Sequence, residues 1–127
     1  MCIRDSYYTA TTFDAQGKVT ASIMDASQTN VNFTAAGKVT TDLASTFKTK
    51  NELGDAYGMK KASGIGKEWN EQAAAFAAYI KGRTVADVKG IAIDAGGKPT
   101  ASDLTGSVTV SIAHLIEVVD KANDKAK

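Results

Sequence analysis

The sequence predicts an α+β domain: a small antiparallel sheet made of N-terminal hairpins and covered by two amphipathic helices. Three patterns predict it. Residues 7–25 are rich in Thr and aromatics, and Val19, Ala21 and Ile23 alternate with Lys18, Thr20, Ser22 and Met24 around an Asp14-Ala15-Gln16-Gly17 turn, as in a half-buried hairpin. Trp69, Ala73, Phe76 and Ile80 recur at helical spacing within an alanine-rich stretch, which gives one apolar stripe over 67–81 with Gly82 as its stop. Val108, Ile112, Leu115, Val119 and Ala122 repeat the pattern and predict a second helix over about 107–122.

The hairpin motif recurs. Phe13-Asp14-Ala15-Gln16-Gly17-Lys18-Val19-Thr20 is echoed by Phe33-Thr34-Ala35-Ala36-Gly37-Lys38-Val39-Thr40 and by Ile93-Asp94-Ala95-Gly96-Gly97-Lys98-Pro99-Thr100. The first two copies predict a meander of three or four strands. Pro99 removes a ladder N–H, so the third marks a loop or sheet edge. Thr49-Lys50-Asn51-Glu52 and Thr84-Val85-Ala86-Asp87 have capping-box spacing and each starts a short helix, the second ended by Gly90. Ile91 and Ile93 suggest a further short strand. Val19, Ile23, Val31 and Phe33 are expected to join the helical stripes in one core.

At 127 residues the chain is long enough for one core without metals or disulfides. Its 15 Lys plus Arg and 14 Asp plus Glu nearly cancel and are dispersed, so no electrostatic signature points to nucleic acid or an anionic membrane. No run approaches the roughly 18 apolar residues of a membrane span. Met1-Cys2-Ile3-Arg4-Asp5-Ser6 fits nothing that follows and reads as adapter sequence. The expected division is a non-native leader at 1–6, a single domain over 7–124 and a frayed tail at 125–127. Setting the leader aside removes Cys2, the single cysteine, a usage that suits an extracytoplasmic protein.

Helix beginnings offer the candidate binding groups. Ser63-Gly64-Ile65-Gly66 leads into the central helix with Lys60 and Lys61 nearby, so free N–H groups and two cations favour a phosphate there, although glycines serve equally well simply to turn the chain. The spacing is neither GxxxxGK[ST] nor GxGxxG. Trp69, Phe76, Tyr57 and Tyr79 either line a flavin-sized pocket or pack as core. His114 has no second His and no Cys nearby with which to share a metal, and reads as a partly packed side chain. No catalytic constellation stands out.

Asp103-Leu104-Thr105-Gly106-Ser107-Val108-Thr109-Val110-Ser111 resembles the Asp-x-x-(Ser/Thr)-Gly-Ala-Thr-x-(Ser/Thr) motif of bacterial FMN-binding domains, as found in flavin-carrying subunits of sodium-pumping quinone reductases and in surface lipoproteins. The resemblance puts Asp103 in the acidic place, Thr109 in that of the threonine that FMN phosphate esterifies, and Ser111 in that of the last hydroxyl. Gly106, Ser107 and Val108 stand where the motif has Ser/Thr, Gly and Ala. The added bulk, with Thr109 expected in the first turn of the last helix, argues for reversible rather than covalent attachment. From about Phe13 onward the chain is also similar to uncharacterised secreted or lipid-anchored proteins of anaerobic gut bacteria. Together the resemblances imply an extracytoplasmic or cell-surface, lipoprotein-like module that is not an enzyme. It would bind FMN or another phosphorylated small molecule through Thr109, Ser107, Ser111, Lys60, Lys61, Ser63, Gly64 and Trp69, for electron transfer. The alternative is a cofactor-free structural or interaction domain that keeps the fold of a flavin binder.

Overall fold

The structure, a computed structural model, describes residues 1–126. It is the expected α+β arrangement: an antiparallel hairpin, β1 (Cys2–Phe13) and β2 (Val19–Val31), followed by α1 (Lys50–Leu53), a 3₁₀ turn (Gly54–Tyr57), α2 (Trp69–Ile80), α3 (Val85–Lys89), α4 (Ser102–Thr105) and α5 (Ala113–Lys125). The strand β2 packs on α2, and β1 packs on α5. Cys2–Ser6, set aside above as leader, extend β1 opposite Val31–Ser27, with their side chains exposed. Lys125 ends α5 and Ala126 caps it. The rest of the expected frayed tail, Lys127, lies outside the described residues.

The helix α2 forms as its stripe predicts, with Trp69, Ala73, Phe76 and Ile80 all buried. The short helices α1 and α3 start at their capping boxes. Thr49 accepts from Glu52 N at 3.2 Å, and Thr84 accepts from Asp87 N at 3.2 Å. The Asp87 carboxylate in turn takes hydrogen bonds from the Thr84 hydroxyl and N–H, which hold its pKa below the ordinary Asp value.

The hairpin corrects the expected inward face of β2. Thr12 pairs with Ala21 but Phe13 with Val19, so Thr20 is an extra residue, a bulge, and side-chain parity flips across it. Val19 is therefore buried together with Met24 and Ala26, whereas Ile23 is 70% exposed. Val31 is only half-buried and Phe33 is 45% exposed, so neither belongs to the core as expected.

All three Gly-Lys segments fold into the same turn. In each the fifth residue, Gly17, Gly37 or Gly97, has φ of 74°, 80° or 78°, a conformation glycine reaches without steric cost. Its N–H donates to the carbonyl three residues back, at 3.0, 2.9 and 3.0 Å. The Asp14, Thr34 and Asp94 side chains accept from the N–H of Lys18, Lys38 and Lys98 at 2.9, 3.1 and 2.9 Å, closing the loop from inside. The second and third copies make only isolated bridges, Phe33 with Val39 and Ile93 with Pro99. The meander and the short strand at Ile91–Ile93 are thus replaced by turns. Past the second copy, Asp42 bonds Ala44 N at 2.9 Å, and this local turn ends the pairing.

The last helix is the second correction. Residues 106–112 are not helical, and α5 begins at Ala113 without a side-chain cap. Val108 and Ile112 are nevertheless fully buried beside Leu115 and Val119, so a helical apolar spacing is met here by an irregular segment. A run of β-branched and hydroxyl residues loses side-chain freedom in a helix and competes with its backbone bonds. Thr105, Ser107, Thr109 and Ser111 accordingly supply no hydroxyl cap to α5.

Candidate functional site

Two buried polar side chains at the start of α2, its N-cap Glu68 and Gln72 in its first turn, organise the irregular segments. Glu68 and Gln72 are one turn apart on one face, 1% and 0% exposed, and buried polar groups require partners. The Glu68 carboxylate accepts from Met59 N at 2.9 Å and Lys60 N at 2.8 Å. Gln72 Nε2 donates to Ser63 Oγ and to the Lys67 carbonyl, both at 3.1 Å. Its Oε1 accepts from Thr109 N at 2.8 Å, Thr109 Oγ1 at 3.2 Å and Val110 N at 3.1 Å. One amide thus ties the loop at 63 to the loop at 109.

A cleft of about 360 Å³ opens where they meet. Ser63, Gly64 and Thr109 contribute polar edges, Met59, Ala62 and Val110 an apolar lining, and Lys98 a cation. The third Gly-Lys turn carries Lys98 there. Ile112 N donates to the Gly97 carbonyl at 2.8 Å. A Cβ on Gly97 would collide with the Ser111 hydroxyl and come within 3.0 Å of Ala113 Cβ, so this close approach, as well as the positive φ, requires glycine.

The other residues singled out in the sequence lie elsewhere. Lys60 and Lys61 border a separate depression of about 420 Å³ together with Asp55, Gly58 and Glu68. Ser107 Oγ donates to the Leu104 carbonyl at 3.1 Å, and Ser111 lies beneath Gly97. Trp69 is core. Asp103, the acid of the motif, accepts from Tyr79 Oη at 3.0 Å. Tyr79 has a raised pKa, through loss of hydration and then this hydrogen bond. The start of α2 is not a free anion site: Glu68 N donates to Glu71 Oε2 at 2.8 Å, and the Glu68 carboxylate already places a negative charge there. His114 stacks on Tyr7 with centroids 4.8 Å apart and meets Glu117 at 3.3 Å. Among the described residues no group of three or more His, Cys, Asp or Glu could hold a metal.

Sequence reasoning missed Gln72, Lys98 and Lys50. The signal for Gln72 was available: it stands three residues after Trp69 and four before Phe76, hence on the buried face. Lys50 is buried with its ammonium 5.1 to 5.9 Å from the ring centroids of Tyr57, Trp69 and Tyr7, a cation–π arrangement that fastens α1 to β1 and α2.

No protein-family model matches the chain, and no solved structure matches it. It is similar to a curated protein described as a chlorophenol reductase from Desulfitobacterium hafniense, 48% identical over 56 residues, which are 42% of this chain and 17% of that protein. The matched stretch is thus less than a fifth of the relative's length. No helix among the described residues is long and apolar enough to cross a membrane.

Proposed function

We propose that this chain is a non-catalytic, extracytoplasmic module that binds FMN reversibly for electron transfer, in the cleft between the 59–64 and 109–110 loops. The observation that carries the reading is the Gln72 amide joining Ser63 to Thr109, because it brings together two segments that the sequence suggested separately as phosphate contacts. The residues present suit such a ligand. Lys98 and Ser63 offer a cation and a hydroxyl donor to a phosphate, Met59, Ala62 and Val110 offer apolar contact, and the cleft volume falls in the range of small-molecule sites. When bound, the flavin would supply the redox chemistry, and the protein's part is to hold it. The similarity of part of the chain to a chlorophenol reductase supports a setting in reductive electron transfer.

Attachment is non-covalent in this reading, for a reason that differs from the helical one expected from the sequence. Thr109 lies in a loop, and its hydroxyl donates to Gln72 Oε1, which occupies the proton and orients the oxygen toward the protein. A second reading, a cofactor-free interaction domain, is supported by the exposed apolar side chains of Phe33, Val39, Leu43 and Phe47 within one stretch of the chain, because exposed large apolar side chains are the material of contact surfaces. Protein purified natively from a flavin-sufficient host separates the two. The flavin module should show flavin absorbance that is released on denaturation, with the intact mass of the unmodified chain. A colourless protein supports the interaction domain, and a mass increase of one FMN ester that disappears in Thr109→Ala refutes reversible attachment.

A further inference from the structure

We infer that Lys98, delivered by the third Gly-Lys turn, is the residue that selects a phosphorylated ligand over its unphosphorylated form, and that Lys60 and Lys61 are not. The inference rests on the flavin reading above and assigns the phosphate end of that cleft. Lys98 is the one charged side chain lining it, and among the described residues it makes no ion pair. It thus lines the cleft with Ser63 and Thr109 and has no carboxylate partner there. Lys60 and Lys61 likewise make no ion pair among the described residues, but they share their depression with Asp55 and Glu68, whose carboxylates repel a phosphate at short range.

The backbone that presents Lys98 is fixed on both sides. Lys98 N donates to Asp94 Oδ1 at 2.9 Å, Gly97 and Pro99 are buried, and the Gly97 carbonyl accepts from Ile112 N. The equivalent lysine of the second copy, Lys38, sits in a turn exposed along its whole length. The same local motif thus serves as a plain turn at 34–38, whereas at 94–98 it aims a cation into a cleft.

Titration of FMN and riboflavin into the whole chain, followed by flavin fluorescence, tests the assignment. Lys98→Gln should weaken FMN about tenfold, the loss of one charged hydrogen bond, and leave riboflavin unchanged. The Lys60→Gln/Lys61→Gln double variant should hold both affinities within about twofold of the parent, a free-energy change well under that of one charged contact. If the parent prefers FMN and Lys98→Gln keeps that preference, or if the double variant abolishes it, the assignment is overturned while the flavin reading stands. Equal weakening of both ligands by Lys98→Gln would show a structural role and also overturn it. A parent that binds both equally overturns the assignment while flavin binding stands, and a parent that binds neither refutes the flavin reading itself and the assignment with it.

Discussion

Residues 33–40 and 93–100 adopt the same turn from nearly the same motif, yet one stands free and the other is built into the molecule. Both close with a glycine at φ near 80°, and both continue the pairing by one further bond, Thr40 N to the Asn32 carbonyl at 2.8 Å and Thr100 N to the Ala92 carbonyl at 3.0 Å. The difference lies in what meets them. A Cβ on Gly37 would find nothing within 4 Å, whereas one on Gly97 would strike Ser111. Val39 is 38% exposed, and Pro99 is buried. Local chemistry decides the shape of a turn, and its neighbours decide whether that shape does anything further.

The largest effect should come from the core rather than from either turn. Phe76 has no exposed surface, and Phe76→Ala should cost about 3–5 kcal/mol in urea unfolding. A cost under about 1 kcal/mol, typical of surface changes, would mean that α2 does not bury this face.

The comparison itself is sharpened by two matched alanines. Gly37→Ala meets only the penalty of a positive φ, about 1–2 kcal/mol. Gly97→Ala adds overlap with Ser111 and Ala113, and should cost about 1–3 kcal/mol more. Equal losses in thermal unfolding would show that the third turn is not docked as described.

Much of this architecture was legible. The stripe of α2, the two Thr capping boxes and the three glycine turns follow from short-range rules that act within a few residues. The bulge at Thr20 was not legible, because one unpaired residue reverses the face of every residue beyond it, and this is how Ile23 came to be placed in the core. The 106–112 segment misled through the helical spacing of Val108 and Ile112. The alternation of hydroxyl and valine in Ser107-Val108-Thr109-Val110-Ser111 has the period of extended chain and was the better guide. In the candidate site, Ser63, Gly64 and Thr109 were named from the sequence. Their meeting depends on Gln72, 37 residues from Thr109 along the chain, and no local rule reports such a contact.

Isothermal titration of the purified chain with FMN and with riboflavin tests the central claim most directly. The cleft of Ser63, Thr109 and Lys98 predicts micromolar or tighter binding of FMN and at least about tenfold weaker binding of riboflavin, a difference of about 1.4 kcal/mol carried by the phosphate. Equal affinity for the two, or no heat from either, would contradict it.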